Sequence, residues 1–169
     1  TKVDRASMAV SLGGDGDQSV AGIALFSQGG TVIGGGFTVG MSSASIPLAT
    51  GDLFAGFVAR LFSPPSQWTY GIGHGFPGNL AHQQVNDVAV TPDDDVVVVG
   101  YMTGTFNTPA GTSLVHRDEL DGFVIMLDST GEERWAVGVG GPRADTASGV
   151  AVDAQGNVVV VGSFSESLT

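Results

Sequence analysis

Val88-Ala89-Val90-Thr91-Pro92-Asp93-Asp94-Asp95-Val96-Val97-Val98-Val99-Gly100 recurs 62 residues later as Val150-Ala151-Val152-Asp153-Ala154-Gln155-Gly156-Asn157-Val158-Val159-Val160-Val161-Gly162, with 8 of 13 positions identical. Each copy is an apolar run, five turn residues and a second apolar run, which is the signature of a β-hairpin. The element also stands earlier in the chain: Met8–Phe37 aligns on Trp135–Phe164 without a gap, at 11 of 30 identical positions. A second motif repeats beside it, Gly56-Phe57-Val58-Ala59-Arg60-Leu61 against Gly122-Phe123-Val124-Ile125-Met126-Leu127. With Gly22, Asp87 and Gly149 taken as equivalent, the steps are 65 and 62 residues. A fixed period of this size marks units that bury their faces on one another.

The third copy shows how a unit is built. Ser148–Asp153 reads as a strand, Ala154-Gln155-Gly156 as a tight turn and Asn157–Phe164 as the return strand. Gly156 supplies the positive φ that such turns require, and Gly29 holds that place in the first copy. Asp94 holds it in the second, where Asp enters the left-handed region more readily than most residues. Replacing Asp94 by Gly is expected to be neutral or stabilising by up to about 1 kcal/mol. A long connection leads to a third strand, Gly122–Asp128, then a turn at Ser129-Thr130-Gly131 and a fourth strand, Arg134–Val139.

Four antiparallel strands per repeat predict an all-β β-propeller segment, and the valine runs support it. Val96–Val99 and Val158–Val161 show no polar alternation, so both of their faces should be covered, as the middle strands of a propeller blade are. The competing fold is a sandwich with irregular repeats. The predicted units are a last strand of a preceding blade within 1–12 (Ser7–Leu12), blades at 13–72 and 73–140, and an incomplete blade at 141–169. That makes eleven strands, about 2.75 blades, whereas closed propellers use at least four. The connections Thr38–Ala55 and Met102–Asp121 lengthen the repeat and are where variable function is expected.

Composition excludes several classes. The 42% apolar content and 27 glycines suit a β protein with many turns. Six basic residues against 17 acidic ones give a net charge of −11, without the basic footprint that nucleic acid needs. No apolar run reaches the roughly 20 residues of a membrane helix. Cysteine is absent, so neither disulfides nor thiolate chemistry enters. The chain begins with Thr and shows no signal-peptide apolar segment, so a processed form or an excerpt of a longer protein is expected.

The stretch Asp121-Gly122-Phe123-Val124-Ile125-Met126-Leu127-Asp128-Ser129-Thr130-Gly131, with Ser148–Asp153 and Gly156-Asn157-Val158 after it, resembles the bacterial SBBP-type β-propeller repeat. The resemblance spans nearly the whole chain and is strong from Val85 onward. The first copy departs from it: Leu61-Phe62-Ser63-Pro64-Pro65 replaces Leu-Asp-x-x-Gly, and Phe26 stands where the third copy has Asp153. The resemblance implies an extracellular or cell-envelope bacterial propeller and no particular reaction.

Motifs that imitate known sites weaken in context. Gly73-His74-Gly75-Phe76-Pro77-Gly78 fits G-x-G-x-x-G, but Pro77 and Gly78 interrupt the helix a dinucleotide site needs. His116-Arg117-Asp118 lacks every companion of a kinase catalytic loop. Asp15 and Asp17 place oxygens at alternate positions, as calcium loops do, yet a third acidic ligand and a bidentate Glu are missing. They are the only candidate Ca²⁺ ligands; the expectation is solvated turn carboxylates, as for Asp93-Asp94-Asp95 at a hairpin tip, and no cofactor. His74 and His82 have no suitably spaced third metal ligand. Trp68 and Trp135 hold equivalent fourth-strand positions and are expected to pack between blades.

The functional expectation is a non-enzymatic scaffold or protein-interaction module. One alternative is a carbohydrate-binding propeller using 38–55 and 102–121. Another is a propeller hydrolase with a carboxylate site, for which Asp87 and Asp153 are the inner-strand candidates. The final hairpin should leave Val158, Val159, Val160 and Val161 on an open edge with one uncovered face. Another polypeptide should therefore complete the propeller: more of a longer chain, a second copy or a different subunit.

Overall fold

The computed structural model describes residues 13–38, 40–42, 47–49, 54–61, 68–72, 82–117 and 119–165. All regular structure among them is β. The first blade is a four-stranded antiparallel sheet in the order β1 (Gln18–Leu25), β2 (Thr31–Phe37), β5 (Ala55–Leu61), β6 (Trp68–Ile72). The second repeats it with β7 (Gln83–Val90), β8 (Val96–Met102), β11 (Asp121–Leu127), β12 (Glu133–Val139). A final hairpin, β13 (Thr146–Val152) with β14 (Val158–Ser163), forms the inner half of a third blade. The chain is thus an all-β propeller segment of four-stranded antiparallel blades. Its last hairpin starts two residues earlier and ends one residue sooner than the sequence suggested. The segment Ser7–Leu12 lies outside the described residues.

Two short ribbons went unread in the sequence: β3 (Gly40–Ser42) with β4 (Pro47–Ala49), and β9 (Phe106–Asn107) with β10 (Ser113–Leu114). They occupy the two long connections. Phe106 and Leu114 of the second ribbon are buried in the main core, with Phe106 edge-on to Phe123 at 6.1 Å. That connection therefore supplies core as well as surface.

Among the described residues one turn is used five times. At 26–30, 91–95, 108–112, 128–132 and 153–157, the first residue's amide donates to the last residue's carbonyl, and the fourth residue's amide donates back to the first. The fourth residue is left-handed in every case: Gly29 (φ 87°), Asp94 (φ 63°), Gly111 (φ 90°), Gly131 (φ 89°) and Gly156 (φ 83°). This is the three-residue hairpin loop in which a type I turn is followed by a left-handed bulge residue. The first side chain reinforces it in four copies. Thr91 Oγ1, Thr108 Oγ1, Asp128 Oδ1 and Asp153 Oδ1 each accept from the amide four residues on, at 2.9–3.1 Å. Phe26 cannot, and its ring instead carries the Arg60 guanidinium 4.0 Å from its centroid.

The hairpin tip at Asp93–Asp95 corrects an expectation. Only Asp93 is exposed; Asp95 is buried and ion-paired to Arg134 at 3.0 Å. The Asp94 carboxylate accepts from the Ser27 amide (2.7 Å) and hydroxyl (2.8 Å), which belong to the corresponding turn of the first blade. Neighbouring tips are tied together, so two of the three carboxylates are not merely solvated.

Every inner strand carries a bulge at one point, between Val20 and Gly22, Val85 and Asp87, and Ala147 and Gly149. The unpaired residue lets the strand bend where inner strands of successive blades converge. Gly22 lies so close there that a Cβ would stand 2.7 Å from the Val88 amide nitrogen. Backbone bonds repeat across the two junctions as well: Gln83 donates to the Phe54 carbonyl at 3.1 Å, and Asp145 to the equivalent Leu120 at 2.7 Å.

The core is two blade junctions and a third buried cluster, Ile33, Phe37, Ala55, Phe57 and Ala59, whose side chains alternate along β2 and β5 with those of the first junction. Val32, Val58, Trp68, Tyr70 and Ile72 of the first blade pack on Val85, Val88, Val96, Val98 and Phe123 of the second. Val97, Val99 and Val124 of the second pack on Ala147, Val150, Val152, Val158 and Val160 of the third. The run Val96–Val99 is fully buried, alternate valines serving opposite junctions.

Candidate interaction surface

Repeat equivalence allows each end of the array to be read against its interior. In the second blade, β7 presents Val85 and Val88 to the first blade, at 0% and 3% exposure. Their counterparts on β1, Val20 and Ile23, are 57% and 68% exposed, and Leu25 beside them 72%. On β8, Val97 and Val99 are fully buried against the third blade; their counterparts on β14, Val159 and Val161, are 57% and 60% exposed. Trp68 and Tyr70 are buried at 8% and 6%, whereas Trp135 and Val137 stand at 41% and 46%. Large apolar side chains are thus exposed at positions which the interior repeats use for blade packing.

The four valines singled out in the sequence are therefore not one surface. Val158 and Val160 pack on the second blade, while Val159 and Val161 face solvent. The edge of β14 is a separate feature: it pairs with β13, and among the described residues no strand lies on its other side. β2 and β8, its equivalents, are bonded on both sides.

The first junction shows what an occupied face looks like. Trp68 Nε1 donates to the Ser129 carbonyl at 3.1 Å, and Arg60 Nη1 donates to the same oxygen at 2.7 Å. The Trp68 ring lies against Gly131, where a Cβ would come within 2.7 Å of it. Tyr70 donates its hydroxyl proton to the Glu133 carboxylate, whose other oxygen accepts from Thr112 at 2.6 Å. Burial, and then the bond to Glu133 and its negative charge, push the Tyr70 phenol far above its ordinary range. The repeat of Trp68 at Trp135 marked this seam in the sequence, but its partners were not legible, because they are a turn carbonyl and the Glu133 carboxylate of the next blade.

The carboxylates considered for chemistry have backbone tasks. Asp87 accepts from the Val88 amide (2.9 Å) and, across the second junction, from the Val150 amide (3.0 Å). Asn86 beside it donates to the Ala147 carbonyl at 2.9 Å. Asp153 closes its turn through the Gln155 and Asn157 amides and the Asn157 side chain. Bonds to Asn157 above all hold its carboxyl below the usual range, and bonds to Thr130 do the same for Asp128. Two buried carboxylates that sequence reasoning passed over do similar work. Asp145 accepts from the Gly141 and Ser165 amides at 2.6 and 2.7 Å, and Asp121 from the Arg117 amide at 2.6 Å.

Asp15 and Asp17 are exposed, and the Asp17 backbone is pinned to Thr38 through its amide and carbonyl. Among the described residues no three His, Asp or Glu side chains converge as metal ligands. His82 stacks on Phe54 at 6.2 Å; its amide donates to the Thr103 hydroxyl and its carbonyl accepts from the Thr103 amide. Arg117 braces the end of β12 by donating to the Gly140 carbonyl at 2.7 Å. Gly73–Gly78, His74 within it, and Asp118 lie outside the described residues. No described helix is long and apolar enough to cross a membrane.

No protein-family model matches the chain. Over 91 aligned residues, 48% of this chain, it is 30% identical to an uncharacterized WD repeat-containing protein of Acanthamoeba polyphaga mimivirus. The match spans 7% of that protein's length. It is a likeness to a repeat protein, in keeping with the architecture.

Proposed function

We propose that this chain is part of a non-enzymatic β-propeller scaffold that works as a protein-interaction module. The observation that carries the reading is the contrast between equivalent positions: Val85 and Val88 buried where Val20 and Ile23 are exposed, and Trp68 buried where Trp135 is exposed. Fully burying one such side chain is worth about 1.5–3 kcal/mol, so these faces favour polypeptide cover. The engagement of Asp87, Asp145 and Asp153 by backbone amides favours structural over catalytic carboxylates. A bacterial exterior setting, as part of an SBBP-type repeat protein, rests on the sequence resemblance alone.

An apolar dye tests the reading. The chain should bind it, and Ile23→Lys combined with Val161→Lys should weaken binding with stability unchanged within about 0.5 kcal/mol, since both side chains already face water. A wild-type chain silent to the dye would mean that the end faces are covered within the chain, and the reading would fail.

A further inference from the structure

We propose that the open edge of β14 and the exposed face around Trp135 form a docking site for one β-hairpin that completes the third blade, recognised by the pattern Gly-Phe-Val-x-x-Leu-Asp-x-x-Gly. The inference rests on the interaction-module reading and names the partner's chemistry.

The chain contains two examples of the strand that such an edge accepts. β2 pairs antiparallel with β5, setting Gly35 opposite Phe57 and Gly34 opposite Val58. β8 pairs with β11 in the same register, Gly100 opposite Phe123 and Val99 opposite Val124. In β14 the equivalent residues are Gly162 and Val161. An incoming strand in this register sets its Phe opposite Gly162, its Val opposite Val161 and its Gly opposite Ser163. Glycine at this place serves two neighbours: at Gly100 a Cβ would overlap the Gln84 carbonyl oxygen of β7 and stand 2.7 Å from the Phe123 ring, and at Gly162 it would overlap the Thr146 carbonyl oxygen of β13, so β14 already has the residue that leaves room for an aromatic side chain opposite it. Strand addition of this kind draws affinity from main-chain bonds and specificity from the pockets for alternate side chains.

Trp135 defines the far end of the site. Its counterpart Trp68 donates to the carbonyl that follows Asp128 and lies against Gly131, three residues after that Asp. A partner that buries Trp135 in the same way needs a turn with a free carbonyl and a glycine at those places, which is the Asp-x-x-Gly part of the pattern. A second folded copy of this chain does not qualify. Its β5 and β11 are each hydrogen-bonded on both sides and have no edge to offer.

The test uses the whole 169-residue chain and a synthetic peptide copying residues 119–139, with phenylalanine replacing its tryptophan. The inference predicts saturable binding at one peptide per chain. Tryptophan emission should shift to the blue, and the amides of Val158–Val161 should become slow to exchange. In a Trp135→Phe chain the emission shift should vanish while the amide protection remains. Peptides with Ala at the place of Phe123, or Val at the place of Gly131, should bind at least about tenfold more weakly, a loss of about 1.4 kcal/mol. Equal binding by either variant or by a scrambled peptide, or dimers that shield β14 without peptide, would overturn the inference. A chain that binds the apolar dye but not the peptide would also overturn it, and would leave the interaction-module reading standing.

Discussion

At Asp94 a left-handed backbone, φ 63°, is combined with a carboxylate that accepts two bonds from Ser27 of the neighbouring blade. Glycine would relieve the backbone by about 1 kcal/mol but remove both bonds, each worth about 0.5–1.5 kcal/mol, and would loosen the unfolded chain. Asp94→Gly should therefore destabilise by about 0.5–1.5 kcal/mol in urea unfolding, contrary to the neutral or stabilising effect that the turn alone suggests. Asp94→Asn, which keeps one acceptor and tolerates the left-handed region, should lie within about 0.5 kcal/mol of the wild type. At Tyr70, burial and Glu133 raise the phenol pKa in the folded state above its unfolded value of about 10. Its contribution is then complete below that pH and is lost as pH rises beyond it. Tyr70→Phe should cost about 1–3 kcal/mol at neutral pH and should flatten the alkaline decline, as thermal unfolding across pH would show.

Among the elements, the recurring turn separates backbone from packing. Gly131 and Gly156 have nearly the same φ, 89° and 83°, but a Cβ at Gly131 meets the Trp68 ring while one at Gly156 meets nothing within 4 Å. Gly156→Ala should cost about 1–2 kcal/mol from the left-handed backbone alone. Gly131→Ala should cost about 2–4 kcal/mol, because the first junction must also shift. Denaturant midpoints of the two variants measure the difference. The hairpins themselves were legible because glycine spacing and valine runs are local signals. The ribbon β9–β10 was not: two residues per strand make no period, and Phe106 and Leu114 announce their burial only through the core they enter. The same holds for the seam. Trp68 and Trp135 marked it by repeating in register, but nothing local said that Trp68 would meet Ser129 and Gly131 of the next blade, or that Arg60 would share the same carbonyl.

For the molecule as a whole, repetition made architecture readable and left function to the ends of the array. Interior positions are explained by the blade that follows or precedes them, and the exposed valines and Trp135 are explained by its absence among the described residues. The chain carries an internal control for this account: Val96–Val99 and Val158–Val161 have identical sequences in different surroundings. β8 is bonded on both sides and covered on both faces, whereas β14 is bonded to β13 alone and covered on one face. Intrinsic exchange chemistry is then matched and only structure differs. Amide hydrogen exchange of the isolated chain should find Val96–Val99 slow throughout, with opening free energies near the global value. In Val158–Val161, alternate amides should exchange orders of magnitude faster, because in an antiparallel pair every other amide points away from the partner strand. Equal protection along both valine runs in a monomeric chain would contradict the open edge, and with it the account of how the two ends work.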